Sequence, residues 1–80
     1  MSNRESGVGY SDILIETREK VGVVIELKYS EDGNLDVGCS KALKQIEEKN
    51  YSAILKKDGM KKILKYGISF YKKNCKVVLG

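Results

Sequence analysis

Eighty residues with 41% hydrophobic, 32% charged and 8% aromatic side chains, and no proline, histidine or tryptophan, describe one small globular domain with little core to spare. The formal charge of +4 hides a polarity, because residues 1–40 hold four basic side chains against eight acidic ones and residues 41–80 hold eleven lysines against three acids. Histidine-based catalysis and a cysteine–histidine zinc site are excluded, the apolar runs are too short to span a membrane, and the chain is expected in the cytoplasm with no membrane partner.

Residues 1–9 are polar and glycine-containing and read as a flexible lead; Gly7 and Gly9 match no phosphate-loop pattern. Residues 11–17 and 21–29 are rich in Ile, Val and Leu, and Arg18-Glu19-Lys20 between them suits a turn, which predicts a hairpin over 11–29. Centred on Glu19, that hairpin opposes Asp12 to Glu26, Leu14 to Val24 and Glu16 to Gly22. The strand period of two then leaves Ile13, Ile15, Val21, Val23, Ile25 and Leu27 on a second, wholly apolar face. Glu31-Asp32-Gly33-Asn34 forms a turn, and Asp36 or a neighbour caps the next element. A helix is predicted over 37–50, where Cys39, Ala42, Leu43 and Ile46 follow the spacing of one helical stripe. Residues 51–57 either add a short second helix or continue the first one bent. Residues 62–71 alternate, with Leu64, Tyr66, Ile68 and Phe70 on one face; after a turn at Lys72-Lys73-Asn74, Cys75–Leu79 completes a C-terminal hairpin over 62–79. Two strands, a helical crossover and two more strands make an α/β (α+β) domain, a mixed sheet with helical cover on one side.

Asp12, Glu26 and Lys28 stand out chemically. Glu26 and Lys28 leave the same face of one strand, and the hairpin register brings Asp12 beside Glu26. Directly opposed carboxylates repel unless a hard divalent cation such as Mg²⁺ lies between them, with the backbone carbonyl of Leu27 as a further ligand. A lysine beside that ion suits orienting a water or stabilising phosphoryl charge. An amphipathic strand also carries Glu-x-Lys on a merely solvated face, so charge and parity alone leave both readings open.

The segments Gly7–Ile15, Val24–Tyr29 and Ala42–Ile46, taken in that order, resemble the PD-(D/E)xK nuclease superfamily. The closer resemblance is to the nuclease-like domain that ends a group of bacterial and archaeal proteins bearing an AAA-type ATPase-like region. It implies a restriction-endonuclease-like fold, with Asp12 and Glu26 as ligands of Mg²⁺ or Mn²⁺, Lys28 as the catalytic lysine and Gln45 as a helix residue that fixes the lysine or the substrate. Gly67-Ile68-Ser69-Phe70, followed by Tyr71-Lys72-Lys73, is similar to the family's closing hairpin. The superfamily core usually begins with a helix before the first motif strand. Only eleven residues precede Asp12 here, so that helix is expected to be missing and a partner domain or a second copy, as a homodimer, to take its place.

Lys44, Lys61, Lys62, Lys65, Lys72 and Lys73 are the candidate contacts to nucleic-acid phosphates, set against the plainer reading of lysine as a solvated residue. Tyr66, Phe70 and Tyr71 suit base stacking or, more simply, packing. Cys39 and Cys75 match no metal spacing and read as buried or half-buried thiols. The expected function is metal-dependent hydrolysis of a nucleic-acid phosphodiester, DNA before RNA. The alternatives are a module that binds nucleic acid or a partner without cleaving, and a dimerising structural fragment.

Overall fold

In a computed structural model that describes residues 10–80, the chain forms β1 (Tyr10–Glu16), β2 (Val21–Tyr29), α1 (Leu35–Lys49), α2 (Tyr51–Lys57), β3 (Lys62–Tyr71) and β4 (Asn74–Leu79). The predicted lead over 1–9 lies outside the described residues. One sheet runs in the order β1-β2-β3-β4, with β1 and β4 antiparallel to their neighbours and β2 parallel to β3. This is a mixed four-stranded sheet with two helices, an α+β fold compatible with the restriction-endonuclease-like class.

The first hairpin pairs Asp12 with Glu26, Leu14 with Val24 and Glu16 with Gly22. Its turn is closed by Thr17, whose amide donates to the Val21 carbonyl at 3.0 Å while its hydroxyl accepts from the Val21 amide at 3.1 Å. Lys20 takes the left-handed conformation (φ 68°) that a three-residue loop needs at its last position.

α1 starts two residues earlier than its apolar stripe predicts. Asn34, not Asp36, is the cap: its side chain accepts from the Val37 amide at 3.2 Å, while Asp32 holds the Asn34 amide at 3.0 Å. Asp36 falls inside the first turn, where its charge favours the helix dipole. The chain does not run on as one bent helix. Asn50 adopts a left-handed conformation (φ 56°), which ends α1 and starts α2 afresh.

Both helices lie over the sheet face that carries Gly22, Val24, Glu26 and Lys28. Val24, Ile46, Leu55 and Met60 form the buried cluster there, with Leu43, Tyr51 and Ile63 packed against it. Two glycines let the layers approach. A Cβ on Gly67 would lie 2.8 Å from the Cys39 carbonyl oxygen, and one on Gly38 would lie 2.1 Å from Ser69 Oγ.

No described element covers the opposite face. The pairing aligns Ile13, Ile25, Tyr66 and Leu79 in one row across all four strands and Leu27, Ile68 and Val77 in the next. Val77 and Leu79 are 54% and 59% exposed, and Ile13, Ile15 and Tyr29 are also exposed. Tyr29 packs edge-on against Phe70 with ring centroids 5.4 Å apart. Cys75 departs from expectation: it is exposed, because its strand edges a face that nothing described covers, whereas Cys39 is buried on the sheet-facing side of α1.

Candidate metal centre

The site begins with the parity of β2. Of the residues that alternate onto its helical face, Val24 builds the core and Glu26, two positions on, is drawn under the same helix with no exposed surface. Burying a carboxylate is costly unless a cation or hydrogen bonds compensate it. Asp12, its cross-strand partner on edge strand β1, remains partly open to solvent.

The cation comes from the end of α1. Lys49 Nζ lies 2.9 Å from Asp12 Oδ2 and 3.3 Å from Glu26 Oε2, so both carboxylates converge on one positive charge. Tyr51, just past the Asn50 break, donates its hydroxyl to Asp12 Oδ2. Glu26 Oε1 is buried with no hydrogen-bond partner among the described residues.

These contacts set the protonation states. Burial pushes the Glu26 carboxyl up, the Lys49 charge only partly opposes it, and Asp12 pushes it further. Burial acts the same way on Asp12, but there the Tyr51 hydroxyl and the Lys49 ammonium win, and the carboxyl sits below its ordinary value. Lys49 is pulled down by burial and, more strongly, up by the two carboxylates, so its ammonium is held. Burial and the bond to Asp12 push the Tyr51 phenol up to about 12.

Lys28 is half-buried on the same strand face. It lines a polar cleft of about 170 Å³ with Ser30, Asp32, Asn34, Gly38 and Lys41 at the start of α1. Gln45 lies one turn before Lys49 on α1, and its amide donates to Glu48 at 3.5 Å. The structure thus brings Asp12 and Glu26 together, sets Lys28 two residues along β2, and leaves Gln45 engaged on its own helix.

A family model of the PD-(D/E)XK nuclease superfamily matches residues 1–79. The chain belongs to that superfamily. No curated protein and no solved structure matches it.

Nucleases of the PD-(D/E)XK superfamily generally use divalent metal ions, and two features here fit such an ion: the convergence of two carboxylates on one cation and the unpartnered oxygen of Glu26. Among the described residues no cluster of three or more His, Cys, Asp or Glu side chains forms. Mg²⁺ is commonly bound through one or two carboxylates with waters completing its shell, so two are chemically sufficient.

The six candidate phosphate contacts do not form one patch. Lys61 and Lys62 lie where β3 begins, Lys72 and Lys73 in the turn where it ends, and the length of that ten-residue strand sets the pairs roughly 30 Å apart. Lys44 is exposed on α1 beside Lys41. Lys65 is only 24% exposed, because its parity turns it under the helices, where it pairs with Glu47. Lys72 lies over the Tyr71 ring at 5.2 Å. Tyr66 and Phe70 belong to the apolar face.

Lys49 and Tyr51 were not among the residues singled out in the sequence. The signal was present: 39, 42, 46 and 49 continue one helical stripe, so Lys49 occupies a sheet-facing position where the pattern asks for an apolar residue.

Proposed function

We propose that the chain is a metal-dependent nuclease-like domain that hydrolyses nucleic-acid phosphodiesters, DNA before RNA. The observation that carries this reading is the convergence of Asp12 and the buried Glu26 on one cation, with Lys28 on the same strand face. Asp12, Glu26 and the Leu27 carbonyl would hold Mg²⁺ or Mn²⁺. When bound, such an ion polarises a phosphate and lowers the pKa of a water. The residues then divide the work. Glu26 is fixed by burial, Asp12 is left open on the edge strand where substrate enters, and Lys28 supplies a positive charge to orient a water or stabilise a phosphoryl oxygen. Lys72 and Lys73, in the turn at the Lys28 end of the sheet, Lys41, which lines the cleft with Lys28, and Lys44 beside it on α1 suit the nucleic-acid backbone, and Gln45 is proposed to steady substrate or lysine from α1.

Cleavage of a plasmid and of single-stranded oligonucleotides with Mn²⁺ tests this. Asp12→Asn and Lys28→Met are expected to lose at least ~100-fold in rate while remaining folded, in line with removal of one electrostatic catalytic group. Cleavage that persists unchanged in chelator refutes the reading.

A second reading is favoured by Lys49, which already fills the space between the carboxylates: a module that binds nucleic acid without cutting. It predicts salt-sensitive binding that survives Asp12→Asn with no turnover. The sequence resemblance supports a finer kinship with the terminal domain of AAA-type ATPase-like proteins. The apolar face that no described element covers supports a homodimer or a partner domain as its cover. Two unpaired thiols suit the reducing cytoplasm.

A further inference from the structure

The carboxylate pair is closed by a cation that belongs to the chain itself. Glu26 is fully buried, so its charge requires compensation whenever the protein is folded, and Lys49 is the side chain that supplies it. The same ammonium is bonded to Asp12, and Tyr51 caps the same Asp12 oxygen. Any second cation that uses both carboxylates meets Lys49 first.

Lys49 is well placed to leave. It is the last residue of α1, its side chain is 35% exposed, and its long flexible stem has solvent to move into. Tyr51 lies directly beyond Asn50, the left-handed residue that uncouples α2 from α1. Glu26 Oε1 is the complementary feature: it faces no donor among the described residues, so the buried carboxylate keeps an acceptor that Lys49 does not use.

We infer that Lys49 is a built-in competitor for the divalent cation, holding Asp12 and Glu26 together in its absence and yielding, with Tyr51, when it binds. The inference rests on the metal-centre reading and adds to it a positioning residue that sets how tightly the ion is held. Exchange of a monovalent ammonium for a divalent ion keeps a cation beside the two carboxylates throughout, so the centre need not pass through a state with Glu26 buried and unpaired.

The test is Mn²⁺ binding to the full chain by titration calorimetry. Lys49→Met is expected to bind Mn²⁺ about tenfold more tightly than wild type, and Lys49→Arg, which restores the charge, to bind as wild type does. Equal or weaker binding by folded Lys49→Met overturns the inference while the metal centre stands. Absence of binding in wild type and Lys49→Met alike overturns both. Should Lys49→Met fail to fold, the wild-type protein decides the matter by NMR. On Mg²⁺ titration the Lys49 side-chain and Tyr51 ring signals are expected to shift with the midpoint of the Glu26 carboxyl. Signals that stay fixed while Glu26 shifts overturn it.

Discussion

Replacing Glu26 by Gln should make the metal-free protein more stable. Glu26 has no exposed surface, one oxygen without a partner and the other 3.3 Å from Lys49. The substitution keeps the shape and removes a buried charge whose desolvation costs several kcal/mol. What it forfeits is smaller, because Lys49 retains Asp12 at 2.9 Å and is partly solvated, so it is not stranded. A net gain of about 1 kcal/mol at pH 7.5 follows, which in urea moves the unfolding midpoint of so small a protein up by about 1 M or less. The pH dependence gives the sign. Because the folded Glu26 carboxyl titrates above its unfolded value, the native state binds more protons between the two values and loses stability as pH rises through them. The advantage of Glu26→Gln is therefore full above the raised folded value and vanishes below the ordinary value of 4.5. Urea unfolding of both proteins from pH 4 to 8 reads this directly. A Gln variant less stable than wild type at pH 7.5, or an advantage that grows toward acid, refutes the argument.

Asp12 should behave in the opposite sense. Its carboxyl is held below 3.8 despite burial, so the stability it contributes is present above that value and is lost as pH falls through the lowered one. Tyr51→Phe removes the hydroxyl bond and should cost about 1 kcal/mol at pH 6, a difference that narrows as pH falls below 3.8 and Asp12 protonates; it should also abolish a phenolate absorbance step near pH 12. The apolar face that no described element covers predicts self-association. Sedimentation of wild type over the micromolar range should show dimers, and Val77→Lys with Leu79→Lys, at two of the most exposed positions of that face, should leave monomers; a strictly monomeric wild type sinks this.

The first hairpin was legible because two local rules agree there. A three-residue turn fixes the register, and once Asp12 faces Glu26 the period of two sorts Ile13, Ile15, Val23, Ile25 and Leu27 onto one face and leaves Leu14 and Val24 with the carboxylates on the other. The helix start was less legible, since Asn34 and Asp36 are both capping types; the neighbouring Asp32, which holds the Asn34 amide, sits outside any pattern that counts apolar residues. Lys65 and Lys49 share a deeper reason. Lysine is ordinarily a surface residue, and only once α1, which carries Glu47 and Lys49, crosses β2 and β3 do Lys65 and Lys49 acquire their carboxylate partners. The opposition of Asp12 and Glu26 was thus readable two strands at a time, whereas the side chain that answers them, 23 residues beyond Glu26, depends on how α1 crosses the sheet.

The two faces of the sheet also divide labour by direction. Asp12, Glu26 and Lys28 point toward the helices, and the rows through Ile25 and Tyr66 point away. Whatever seats itself on those rows approaches from behind the carboxylates and leaves them unobstructed. Two copies joined there would stand back to back, their carboxylate pairs aimed outward in opposite directions. Such an assembly cannot close both pairs on the two strands of one duplex at neighbouring positions. Each pair would instead meet its own segment of nucleic acid, one on each side, if the proposed function and the back-to-back dimer both hold.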